Sequence, residues 1–327
     1  MATSLESPST RIEGDFLFLF GNDLARMDLM RRFYFLGSII LALLIAASGC
    51  KSPVPQGNIT DDLGRTVQIK GIPQRIVSLS PSNTEIVYAL GLEDRLIGVT
   101  TYCNYPPEAQ KKLQVSGYST VDVEKVVSLQ PDLILADSIH KTEVIPALEK
   151  LGIPVIGIVA PSLDQLLADI ELVGKISGKQ NAASVLVASL KQRITAVKEK
   201  TAGASKPRVF FVTWHDPLWT VGRGSMIDDL IVRAGGSNMA SDLKANQTID
   251  LETAIQRNPE VIVVLSSMGD QAVSYNFLKN EPRFQATDAL KNNRVYQVDS
   301  DIFGRTTPRT IDALEELAKL IHPELYK

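Results

Sequence analysis

Three histidines and two cysteines are the imidazole and thiol groups this chain offers for metal or nucleophilic chemistry. His140, His215 and His322 lie too far apart to make a zinc-ligand spacing. HExxH, GxSxG and CxxC are missing, and so is a GxxxxGKS/T phosphate loop. Metal-assisted hydrolysis, acyl transfer and ATP hydrolysis therefore lack their local signatures. What remains is chemistry of recognition. Trp214 ends a strand-like run and Trp219 lies five residues further, in HDPLWTVG, while His215 beside Trp214 either coordinates a metal as neutral imidazole or takes a capping or solvent-facing role. Asp301 and Arg305 in SDIFGR stand at i,i+4, the spacing of a helical ion pair worth about 0.3–0.5 kcal/mol on a surface. Cys103 is either a small packing residue or a thiol ligand.

The elements that must position these groups alternate. The runs RIVSL (75–79), DLILA (132–136) and PVIGIV (154–159) read as buried strands, as do RVFFVTW (208–214), EVIVVL (260–265) and RVYQV (294–298). Continuous apolar runs separated by helices argue parallel sheets covered on both faces. TEIVYALGL (84–92) has helical spacing and a glycine stop at Gly91. Residues 162–200 are strongly helical, and the part from about Asn181 to Lys200 reads as one helix, followed by the breaker cluster TAGASKP. An ungapped internal repeat aligns residues 123–135 with 251–263: a helix opening with Glu124 or Glu252, a proline turn, then a strand. The expected fold is α/β, two lobes with mainly parallel sheets joined by one long rigid helix, with a ligand cleft between the lobes.

Composition sets the class. Of 327 residues, 44% are hydrophobic and 22% charged, which excludes disorder and rods. With 34 Lys plus Arg against 37 Asp plus Glu, the net charge of −3 leaves no cationic surplus for a nucleic-acid backbone.

One stretch suits a bilayer. FYFLGSIILALLIAA (33–47) follows Arg31 and Arg32 and ends in Ser-Gly-Cys50, the layout of a secretory signal. ASGC resembles a bacterial lipobox, so cleavage before Cys50 and lipidation of its sulfur are expected, with an uncleaved anchor helix as the alternative. Residues 1–26 fit neither signal nor fold, and Met27 or Met30 is a better start, so an over-extended N-terminus is expected. The chain then divides into a signal segment (1–49), a lipidated cysteine and tether (50–58), a first α/β lobe (59–161), a helical segment (162–201) and a second α/β lobe (202–327). With Cys50 lipidated, Cys103 has no intramolecular partner.

DDLGR (61–65), PQRIVSLSPSNTEIVYALGL (73–92), TTYCNYPPEA (100–109) and EKVVSLQPDLILA (124–136) resemble the bacterial ABC-transporter substrate-binding proteins for corrinoids, ferric siderophores and haem. TTYCNYPPEA followed by Gly117-Tyr118 is most similar to the cobalamin-binding branch, and the likeness covers residues 59–325. The resemblance implies two α/β lobes, a rigid connecting helix, no catalysis and no cofactor, the corrinoid being cargo. It implies a lipid-anchored, extracytoplasmic monomer that serves an ABC permease dimer with its ATPase subunits. By position, it implies ligand contacts from Ser82, Asn83, Tyr102, Tyr118, Trp214, Trp219, Asp301 and Arg305. Glu124 and Glu252 would dock onto permease arginines, one per lobe, although both also suit a helix start electrostatically. Two alternatives stand beside the corrinoid reading. A ferric-siderophore or haem receptor would draw basic residues from Arg223, Arg233 or Arg305. A lipid-anchored hydrolase or corrinoid-modifying enzyme would need an acid/base set that the sequence does not propose.

Overall fold

The computed structural model describes residues 56–266 and 272–327. The signal segment, Cys50 and the tether as far as residue 55 lie outside the described residues. No helix among the described residues is long and apolar enough to cross a membrane.

The described chain opens with an antiparallel hairpin, β1 (Gln56–Thr60) and β2 (Thr66–Lys70). Its DDLGR turn is fastened to the first lobe. Asp61 accepts the Gly157 N–H at 2.9 Å and pairs with Arg65, while Asp62 accepts the Val159 N–H at 2.6 Å.

The first lobe carries a wholly parallel five-stranded sheet in the order β5-β4-β3-β6-β7: β3 (Ile76–Ser78), β4 (Leu96–Thr100), β5 (Gln114–Ser116), β6 (Leu133–Ala136) and β7 (Val155–Gly157). The chain winds outward from β3 through β4 and β5, then returns to its other side at β6. That reversal opens a crevice at the carboxyl ends of the strands, where ligands of such sheets bind. Helix α1 (Pro81–Ala89) leaves β3 with Ser80 as N-cap, its hydroxyl accepting the Asn83 N–H. Gly91, with φ at 63°, takes the left-handed turn after this helix.

Helices α2 (Val123–Ser128) and α3 (Val144–Lys150) precede β6 and β7, and α4 (Leu163–Ile176) leads to α5 (Gln180–Thr201). The 22 residues of α5 span about 33 Å. Ala183, Val187, Leu190, Ile194 and Val197 form its one buried stripe.

In the second lobe β8 (Arg208–His215) is central. It pairs in parallel with β12 (Val261–Leu265), which pairs with β13 (Val295–Val298). On its other side β8 turns into the antiparallel hairpin strand β9 (Leu218–Val221). Short β10 (Ser237–Asn238) lies along the start of β8, and β11 (Asn246–Thr248) edges β9. The sheet is thus mixed: the turn at 216–217 is too short for a crossover and forces antiparallel pairing. Helices α6 (Met226–Arg233), α7 (Leu251–Gln256), α8 (Val273–Asn280), α9 (Asp288–Lys291), α10 (Ser300–Phe303) and α11 (Thr310–Ile321) complete the lobe.

Strand alternation decides the core. Ile76, Leu133, Val209, Phe211, Val261 and Val263 share one apolar cluster with the buried stripe of α5 and with Leu314 and Leu317 of α11. The opposite sheet faces, Val77 and Ile134 in one lobe and Phe210 and Ile262 in the other, have separate clusters. A single continuous core therefore runs through both lobes and the helix between them.

The sequence repeat is a structural one. Gln130 and Asn258 both take left-handed φ, 49° and 45°, just before the paired prolines. Asp132 accepts the Arg75 N–H at 2.8 Å and Glu260 the Arg208 N–H at 2.9 Å, while each arginine side chain clamps the turn carbonyls.

Candidate functional site: a cleft between two sheets

A cavity of about 450 Å³ opens where carboxyl-terminal strand ends of both lobes converge. Pro81 and Ser82 from the start of α1, Tyr102 after β4, and Gly117 through Thr120 after β5 form one side. Ser300, Asp301, Gly304 and Arg305, from α10 and the turn beyond it, form the other. Five of the eight residues expected at the ligand meet here: Ser82, Tyr102, Tyr118, Asp301 and Arg305. Tyr102 and Tyr118 keep 43% and 36% of their surface open, so each presents a ring to whatever fills the cleft.

The Tyr118 hydroxyl donates to Asp137 Oδ2 at 3.2 Å. Burial, and then the Asp137 carboxylate, push this phenol well above its ordinary range, so it stays a neutral donor. Asp137 itself ends a short acceptor chain, taking the Ser138 hydroxyl at 2.8 Å.

Asp301 and Arg305 form their i,i+4 ion pair at 2.6 Å, but Arg305 is 9% exposed and belongs to a network that crosses between lobes. Asn104, beside Tyr102, donates to Asp301 Oδ2 at 2.7 Å and accepts from Arg305 Nη1 at 2.7 Å. Behind it, buried Glu85 of α1 takes a bidentate contact from Arg309, whose guanidinium lies 3.8 Å from the Tyr105 ring centroid. Glu85, Asn104 and Arg309 were missed from sequence. A signal existed: Glu85 is a lone charge within an apolar helical run, with no cation at i±3 or i±4 to neutralise it.

Three expected contacts stand elsewhere. Asn83 is buried and donates to the Ala136 carbonyl at 3.0 Å, tying α1 to β6 at the strand switch instead of lining the cavity. Trp214 and Trp219 are cross-strand partners on the β8–β9 hairpin, outside the cavity walls. The Trp214 indole donates to the Asp216 carbonyl at 2.7 Å, and its ring sits 4.8 Å from that of His215. His215 bonds Ser274 Oγ at 3.0 Å and packs against Phe277. Cys103 is buried beside the hydroxyls of Thr84 and Thr100. His322 is fully buried against Gly235 and Glu324. Among the described residues no group of three or more His, Cys, Asp or Glu is placed to hold a metal ion.

Of the arginines considered for an anionic ligand, Arg233 is committed to Asp229 and Asp164 on α6 and α4. Arg223 is exposed near the second-lobe edge strand, its backbone bridged to Lys244. Glu124 is exposed and its carboxylate forms no hydrogen bond or ion pair with the described residues; Asp122 caps its helix. Glu252, at the equivalent point of the second lobe, pairs with Arg283 at 2.9 Å.

The periplasmic binding protein family matches residues 76–302. An uncharacterized ABC transporter substrate-binding lipoprotein of Bacillus subtilis, YvrC, is 35% identical over 88% of this chain and 97% of its own length. A vitamin B12-binding protein of Vibrio parahaemolyticus is 30% identical over 75% of this chain and 88% of its own. The periplasmic haem-binding protein RhuT of Roseiflexus sp. RS-1 superposes with a TM-score of 0.69 at 28% identity, covering 77% of this chain and 99% of that one. The α/β lobes, the interlobe cleft and these similarities agree: the chain belongs to the periplasmic binding protein family, as a non-enzymatic, extracytoplasmic substrate-binding protein of an ABC importer with no cofactor of its own.

Proposed function

We propose that the cleft captures cobalamin or a related corrinoid and that the protein, anchored to the membrane by lipid on Cys50, delivers it as a monomer to a permease dimer. The observation that carries this reading is the charge state of the cleft. Among the described lining residues Arg305 is the one cation, and Asp301 and Asn104 already occupy it. A carboxylate-bearing haem or an anionic ferric siderophore would find no uncommitted positive charge there. A flat macrocycle fringed with neutral amides suits two tyrosine faces and a paired, hydrogen-bonding polar wall. The similarity to a vitamin B12-binding protein supports the same choice, while the likeness to a haem-binding protein keeps haem as the rival.

Glu124 and Glu252 are the docking groups of this reading, one per lobe at equivalent points of the repeat. Glu124 is free among the described residues and is not its helix's cap, which supports an external partner.

Titrating the purified protein with cyanocobalamin, haemin and a ferric siderophore tests the ligand. Tight binding of a rival with none of cyanocobalamin would sink the corrinoid reading. Replacing Cys50 by Ala should abolish lipid attachment and leave ligand affinity unchanged.

A further inference from the structure

His140 is fully buried, and each of its ring nitrogens has one assigned task. The Asp137 N–H donates to Nδ1 at 3.0 Å, so Nδ1 carries a lone pair. Nε2 lies 2.9 Å from the Tyr118 main-chain carbonyl, which can only accept, so Nε2 carries the proton. The tautomer is thereby fixed as neutral with hydrogen on Nε2. The ring also stands edge-on to the Tyr118 ring, centroids 6.1 Å apart at 76°.

These contacts close a circuit. Asp137 main chain bonds His140, His140 bonds the Tyr118 main chain, and the Tyr118 hydroxyl returns to the Asp137 carboxylate. One imidazole thus joins the loop after β6 to the 117–120 segment, every residue of which lines the cleft. That segment has little else to fix it: the Gly117 N–H to Thr120 carbonyl bond at 3.1 Å is internal, and the Ser116–Val121 bridge only closes its base.

We infer that His140 is a positioning residue of the ligand site, holding the Tyr118 wall of the cleft through the Nε2 bond to the Tyr118 carbonyl. It lies behind the wall and does not line the cavity. The inference rests on the reading of this cleft as the ligand site.

Two isosteres separate its two bonds. Asparagine places its amide oxygen near the position of Nδ1 and keeps the acceptor for Asp137, but it has no donor that reaches Tyr118. Glutamine places its amide nitrogen near Nε2 and keeps that donor, at the expense of the Asp137 bond. In the ligand-free protein, hydrogen exchange of the Gly117 amide should quicken in His140→Asn and stay near wild type in His140→Gln. Cyanocobalamin affinity should fall about threefold to tenfold in His140→Asn, the usual loss for one neutral hydrogen bond, and less than twofold in His140→Gln. Melting temperatures of both variants are measured alongside. The reverse order, with His140→Gln impaired and His140→Asn intact, would make His140 a cap of the 138–140 turn and overturn the inference. Equal losses in both, tracking melting temperature, would overturn it as well. Failure of the wild-type protein to bind cyanocobalamin would count against the corrinoid reading alone, because Gly117 exchange still decides the role of His140.

Discussion

Glu85 of the first lobe and Arg309 of the second meet in a bidentate ion pair, Nε to Oε2 at 2.7 Å and Nη2 to Oε1 at 2.6 Å, behind the cleft floor. Arg305 approaches the same carboxylate at 3.5 Å. One buried anion therefore compensates cations that reach it from the other lobe. Glu85→Ala leaves both without it, and removing one partner of a buried pair costs about 3–5 kcal/mol. The expected result is a melting temperature lower by on the order of 10 °C. Thermal melts decide this, and an unchanged value would reduce the network to a surface contact.

Asp301 neutralises Arg305 within the cleft, so its charge should govern ligand class. Asp301→Ala removes the nearer carboxylate of Arg305 and leaves its guanidinium, beside Tyr102 and Tyr118, with only the 3.5 Å approach to Glu85 and the Asn104 bond. Cyanocobalamin affinity should drop about tenfold with a lost charge-assisted bond, while haemin, with its carboxylates, should bind more tightly than to the wild type. Parallel titrations of both compounds read the crossover, and a uniform loss for both would refute the charge argument.

Docking should be unequal between the lobes. Glu124 is free among the described residues, whereas Glu252 is held by Arg283. Glu124→Ala should weaken permease association about 10- to 100-fold, the worth of one charge-assisted interface contact, with Glu252→Ala at the low end of that range. Arg283→Ala should strengthen association by releasing Glu252. Ligand affinity and melting temperature should stay put in all three, and normal transport with lowered stability would make these glutamates structural.

The DDLGR turn carries a pH dependence. Asp169 of α4 is buried, and burial followed by the Asp62 carboxylate raises its pKa to about 8; burial also raises Asp62. Gln165 Nε2 bridges them at 2.8 and 2.9 Å. The folded value exceeds the unfolded one of about 3.9, so this stabilisation is complete below the unfolded pKa and is lost as pH rises through about 8. Asp169→Asn cannot ionise. Its melting temperature should exceed the wild type's on the alkaline side, by about 2–4 °C per kcal/mol recovered, and converge with it in acid. Parallel melting curves across the whole range would refute the raised pKa of Asp169.

What the chain declares along its length and what it hides have physical causes. Six buried strands were legible because residues such as Phe210 and Phe211 must be apolar on both faces, and α5 because its stripe recurs at helical spacing. Strand β4 was not. Gly98 interrupts its run, yet a Cβ there would stand 2.9 Å from Val115 and 3.0 Å from Leu129, so close strand approach demands the residue that weakens the signal. Tyr102, Tyr118, Asp301 and Arg305 could be named from motif likeness, and the cavity draws on all four. Their supports, Asn104, His140 and Glu85, reach the cleft through contacts 22 to 224 residues apart, and no local pattern names those partners. Asn83 shows the converse: it sits in a motif beside Ser82, but helical geometry turns it inward to the Ala136 carbonyl.

The continuous core through both lobes and α5 has a consequence for traffic at the membrane. A receptor braced in this way has little means of announcing cargo by changing its outline. If Glu124 and Glu252 dock as proposed, empty and filled copies would present the same two carboxylates to the permease and would compete for it as equals. Vacant receptor in excess would then inhibit uptake, and the work of parting the lobes to free the ligand would fall to the transporter.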